Sequence, residues 1–131
     1  MEYFKSSLSF PPTKLGIVLK KIEQERWLQN WMFPNQNNNT DVTADTAEGS
    51  NEHFDLYVAA QLGIPTAQAA KDRVEAEKAS VDGVSWAAIL VEEVAEAVEA
   101  ASVKSIVELE KELVQVAAVA ISWLEALQER T

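Results

Sequence analysis

From Thr13 onward the apolar positions Leu15, Val18, Leu19 and Ile22 fall at i, i+3, i+4 and i+7, the repeat of one helical face. Phe10-Pro11-Pro12 reads as an extended entry and Thr13 as a cap, so a first helix is predicted to run to about Asn30. Pro34 to Asn51 is dominated by Asn, Asp, Thr, Gly and Ser, cannot bury much surface, and reads as a long polar loop. His53 to Leu62 reads as a short helix ended by Gly63. Pro65 and Thr66 open another that reaches about Ala79, and Asp82-Gly83 is a turn. Ser85 caps a helix from Trp86 to about Ala101, and residues 102–104 form a short connection. Ser105 with Glu108 has the spacing of a capping box and opens a last helix to about Glu129. Its apolar stripe is Ile106, Leu109, Leu113, Val116, Ala117, Ala120, Ile121 and Leu124. No alternating run predicts a strand.

The expected fold is therefore an all-α bundle of about five helices in one domain over residues 1–131, with the last two helices, 85–129, as an antiparallel hairpin. A chain of 131 residues, 47% hydrophobic, can build one modest core. A helical protein of this size often completes its core by oligomerising. There are no cysteines, which excludes disulfides, thiolate zinc sites and a cysteine nucleophile. Residues 1–12 lack a basic segment and a long apolar run, so no signal peptide is expected. The longest apolar stretch, Val116 to Ile121, is too short to span a bilayer. The expectation is a cytoplasmic protein with no membrane partner. The net charge of −10, from 11 basic and 21 acidic residues, leaves no basic footprint for a nucleic-acid polymer. The charge is uneven: residues 1–30 carry a balance of +2 and residues 86–131 a balance of −6.

The acids of the last two helices are spaced informatively. Glu93 and Glu96 are i, i+3, and Glu92 and Glu96 are i, i+4, so they share a helix face with Cβ atoms about 5–6 Å apart. Leu90, Val91, Val94 and Val98 flank that stripe, so the acids border an apolar seam. Glu112, among Leu109, Leu113 and Val116, can come level with Glu93 and Glu96 in an antiparallel hairpin. Three oxygen donors from two helices suit a hard cation such as Mg²⁺ or Mn²⁺. The competing reading of the same spacing is a solvated acidic face.

The run Trp86-Ala-Ala-Ile-Leu-Val-Glu92-Glu93-Val-Ala-Glu96, followed by Glu112-Leu-Val-Gln115, resembles the MazG-like all-α nucleoside triphosphate pyrophosphohydrolases, whose signature is EExxE on one helix and ExxD on the next. The resemblance spans about residues 85–128, with a weaker echo at Arg26-Trp27-Leu28-Gln29-Asn30. It implies Mg²⁺- or Mn²⁺-dependent cleavage of a nucleoside triphosphate between the α- and β-phosphates, and a homodimer or homotetramer. Some phage members act on dGTP, in which case the compartment would be the host cytoplasm. Carried over by position, Glu93, Glu96 and Glu112 are metal ligands, and Glu92 orients the attacking water or binds a further ion. Gln115 stands where the family has aspartate and offers only a neutral amide oxygen, as a weak ligand or a partner of one.

A triphosphate approaching an acidic protein needs its charge neutralised. Lys71 and Lys111 are candidates, with Lys104, Arg73, Lys20, Lys21 and Arg26 as further cations. Trp27 is placed to stack on a base and Asn30 to read its edge. The alternative is that Trp27, like Trp86 and Trp123, anchors a core or an interface. The lone His53 is expected to cap or face solvent. A competing reading of the whole chain is a non-catalytic acidic interaction module or a nucleotide sensor.

Overall fold

The computed structural model describes residues 4–6, 8–34, 60–102 and 105–128. Among them every regular element is helical: α1 (Lys14–Met32), α2 (Ala67–Lys78), α3 (Trp86–Ser102) and α4 (Ile106–Gln128). A helical turn at 60–62 precedes Gly63. The remainder of the short helix expected over 53–62, His53 itself and all of the polar loop beyond Pro34 lie outside the described residues. The chain divides into two compact units, Met1–Asn38 with Ile121–Thr131, and Asn39–Ala120. No helix among the described residues is long and apolar enough to cross a membrane.

In the first unit the Thr13 hydroxyl accepts from the Gly16 amide at 3.1 Å and starts α1 as the sequence predicts. The chain before it lies back on the helix. A Cβ at Gly16 would strike the Pro11 carbonyl oxygen, so glycine is what lets the two backbones meet. Phe4 packs edge-on against Trp27, with ring centroids 5.9 Å apart and an interplanar angle of 61°. Ser6 pairs with the Glu23 carboxylate. α1 runs two residues past the expected end, closing with the Phe33 amide on the Gln29 carbonyl just before Pro34.

In the second unit Gly63, at φ +74°, ends the helical turn, and the Thr66 hydroxyl accepts from Ala69 N to cap α2. Gly83, at φ +76°, makes the turn from α2 to α3. Ser85 caps α3, accepting from Ala88 N at 3.1 Å. Its own amide and hydroxyl both donate to Glu77 Oε1 of α2, at 2.9 and 2.7 Å. Arg73 Nε donates to the other oxygen of Glu77 at 2.7 Å. These bonds, led by the Ser85 hydroxyl, hold the Glu77 carboxyl down to about 2. α2 packs on α3, and the buried side chains of the two helices are Ala70, Val74, Ala88, Ala95, Ala97, Ala100 and Ser102. Mostly alanine, they let helix axes approach closely while burying little area per residue.

Two expectations change at α4. The Glu108 amide donates to the Ser105 hydroxyl at 3.3 Å, but the Ser105 amide donates to the Ala100 carbonyl. Only half of the predicted capping box forms, because the end of α3 supplies the other acceptor. The apolar stripe also does not become core: α4 has no buried residue, and Ile106 and Leu113 are exposed while Leu109 and Val116 are half-buried.

Candidate metal centre

Glu93 and Glu96 lie on α3, one turn apart, and Glu112 lies on the next helix, α4. Each offers a carboxylate oxygen, and these three oxygens fall within 4.8 Å of one another, on side chains that are all half-buried. The link between the helices achieves this: Glu93 and Glu96 precede Glu112 by 19 and 16 residues, and only the return of α4 toward α3 brings Glu112 to the pair.

The electrostatics match the geometry. Burial is the largest influence on Glu93 and raises its carboxyl above the ordinary range, with the charges of Glu112 and Glu92 adding to it and a hydrogen bond from Glu96 opposing it. Glu96 is pushed up to about 7, again first by burial, then by the charges of Glu93 and Glu112, a hydrogen bond to Glu112 and the charge of Glu92. Without a cation, a proton on Glu96 is the cheapest relief of this repulsion. One atom is left over: Glu93 Oε2 is buried and has no hydrogen-bond partner. An orphaned buried carboxylate oxygen is costly, and a cation is the partner that suits it.

The donor set fits Mg²⁺ or Mn²⁺. Both take oxygen ligands and keep several positions for water or phosphate rather than a closed protein cage. Oxygens around an octahedral ion with bonds of about 2.1 Å stand roughly 3–4 Å apart. The observed cluster therefore needs only small side-chain rotations to close on one.

The other candidate residues are not members of the three-carboxylate group. Glu92 is half-buried on α3, outside the three-carboxylate group, and acts on it through charge. Gln115 is exposed, one turn beyond Glu112. Lys111 is exposed next to Glu112, and Lys71 is exposed on α2. Trp27 and Asn30 belong to α1, in the first unit. Trp27 is half-buried against Phe4, while Asn30 is exposed with Arg26 Nη2 donating to its Oδ1 at 3.2 Å. Trp86 is 37% exposed at the start of α3 and is no core anchor within the chain, whereas Trp123 is half-buried. The Glu77–Ser85 tie is not visible in the spacing, because eight residues and a turn separate the partners and no local pattern announces the contact.

No family model, no curated protein and no solved structure matches the chain.

Proposed function

We propose that this protein hydrolyses a nucleoside triphosphate to the monophosphate and pyrophosphate, using Mg²⁺ or Mn²⁺ held by Glu93, Glu96 and Glu112, in the manner of the MazG-like pyrophosphohydrolases. The observation that carries the reading is the convergence of those three carboxylates from two helices, with Glu93 Oε2 buried and unpartnered. The EExxE spacing on α3 and Glu112 on α4 supply the link to that family's chemistry.

A divalent ion, when bound, supplies charge neutralisation of the polyphosphate and acidification of water. The protein's own residues do the rest. Glu96 gives up its proton, and Glu93, Glu96 and Glu112 present their carboxylate oxygens to the ion. Glu92, beside them on α3, is the candidate to orient the attacking water and accept its proton. One water is consumed: its hydroxyl goes to one phosphate group, the bridging α–β P–O bond breaks, and pyrophosphate is released. Lys71 and Lys111 are candidates for further charge compensation. dGTP and GTP head the list of substrates to screen.

The test is to incubate the purified chain with each ribo- and deoxyribonucleoside triphosphate plus Mg²⁺ or Mn²⁺ and to measure monophosphate and pyrophosphate together. Turnover is expected, and Glu93→Gln or Glu96→Gln should lower it by at least about 100-fold. Unchanged turnover in folded variants would remove the site. Binding without turnover on every nucleotide would favour the sensor, and neither binding nor turnover would favour the interaction module.

A further inference from the structure

A cleft of about 430 Å³ lies between α2 and α3. Its walls are mostly apolar: Pro65 just before the α2 cap, Ala69 and Ala70 of α2, and Ala88 and Val91 of α3. Of the polar side chains that border it, two are already committed. Glu77 Oε1 accepts from the Ser85 amide and hydroxyl, and Glu77 Oε2 accepts from Arg73 Nε. The Ser85 hydroxyl itself accepts from the Ala88 amide. Arg73 uses only its Nε. Among the described residues it makes no other hydrogen bond or ion pair, so the Nη1–Nη2 edge of its guanidinium is open. At about 3.6 residues per turn, Ala87 and Val91, which line the cleft, stand roughly half a turn round α3 from Glu93 and Glu96. The cleft and the carboxylate cluster therefore occupy opposite faces of that helix.

We infer that this cleft binds a small monocarboxylate with an apolar body, its two oxygens on Nη1 and Nη2 of Arg73. The open edge of a guanidinium presents two parallel N–H donors that match the two oxygens of a planar carboxylate. The bond from Nε to Glu77 already fixes the plane of that fork, which lowers the ordering cost of a second partner. The charge is limited to one. Arg73 is the cation that lines the cleft, and Glu77 offsets part of its field. In a chain of net charge −10 a phosphate dianion would meet more repulsion than one guanidinium relieves. The walls require the apolar body. An inorganic anion would leave Ala69, Ala88 and Val91 in water, whereas a ring or a branched chain covers them. The volume sits at the small end of ligand pockets, which run from about 300 to 1,000 Å³. Arg73 is exposed, so the contact is screened and the affinity should be about millimolar.

Titration of the isotope-labelled full chain with benzoate in EDTA, followed by NMR, tests the inference. Benzamide serves as the same ring and shape without the charge. Benzoate is expected to saturate a single site with a Kd of about 1–10 mM and to move the Arg73 Nε–H, Ala87 and Ala88 signals most. Benzamide and inorganic phosphate should each bind at least about tenfold more weakly. Arg73→Lys keeps a cation beside Glu77 but loses the fork, and should weaken benzoate at least about fivefold with the helical circular dichroism unchanged. Ala69→Leu, at an exposed position of α2, leaves Arg73 in place and fills the cleft, and should weaken benzoate by a similar factor. Equal binding of benzoate and benzamide, shifts that spread over the surface without saturating, or benzoate binding that neither variant changes would overturn the site. No readout depends on a metal or on hydrolysis, so this inference and the proposed activity stand or fall separately.

Discussion

Glu96 shows how one side chain's surroundings set its chemistry. Its carboxyl is held near 7 against an ordinary 4.5, so between those values the folded chain holds a proton that the unfolded chain has lost. The sign follows: the stability that proton supports is fully present below about 4.5 and is lost as the pH rises through about 7. The metal-free protein, kept in EDTA, should therefore melt at a higher temperature at pH 5 than at pH 8. Glu96→Gln should flatten much of that difference, since an amide has nothing to titrate. Mn²⁺ should reverse it, because the ion displaces the proton and binds better as the carboxylates ionise. Melting curves across this pH range, with and without Mn²⁺, check all three. A metal-free melting temperature that rises toward pH 8 would contradict the coupling. Glu93→Gln should leave metal-free stability unchanged or raise it, for it replaces a half-buried carboxyl repelled by Glu112 and Glu92 with a neutral amide.

At the scale of the element, the start of α3 is held from α2. Ser85 caps the helix and donates twice to Glu77, so Ser85→Ala loses the cap and one of the three hydrogen bonds to that carboxylate. The expected cost is about 1–2 kcal/mol, readable by urea denaturation. Gly83→Ala forces a side chain into the left-handed region at φ +76° and should cost about 1 kcal/mol, although the space around it is open. Gly16→Ala is a different case, because its conformation is ordinary and the obstacle is the Pro11 carbonyl. It should detach the segment before α1 or cost more than about 2 kcal/mol, and proteolysis before Thr13 would distinguish the two outcomes.

For the molecule as a whole, the charge of −10 repels the substrate proposed for it and also opposes its own folding. A bound divalent ion relieves both. At a Mn²⁺ concentration 100 times its dissociation constant the folded state should gain about 2.7 kcal/mol, and a chelator should remove the gain. A melting temperature indifferent to Mn²⁺ at neutral pH would argue that the three carboxylates hold no ion.

Helix positions and three of the caps were legible in the chain itself, because they depend on neighbours within a turn. Thr13, Thr66 and Ser85 carry hydroxyls just ahead of their helices, and Gly63 and Gly83 stand where the backbone must turn left-handed. The i, i+3 spacing likewise put Glu93 and Glu96 on one face, since helical pitch is a local property, whereas Glu92 lies outside their cluster. Spacing could allow Glu112 to meet them but could not require it. That depends on the return of α4, as does the burial that lifts Glu96 to about 7. The Glu77–Ser85 tie and the half-formed capping box at Ser105 were likewise decided between helices. The apolar stripe of α4 makes the same distinction from the other side: periodicity marks which residues seek cover, and only packing determines what covers them.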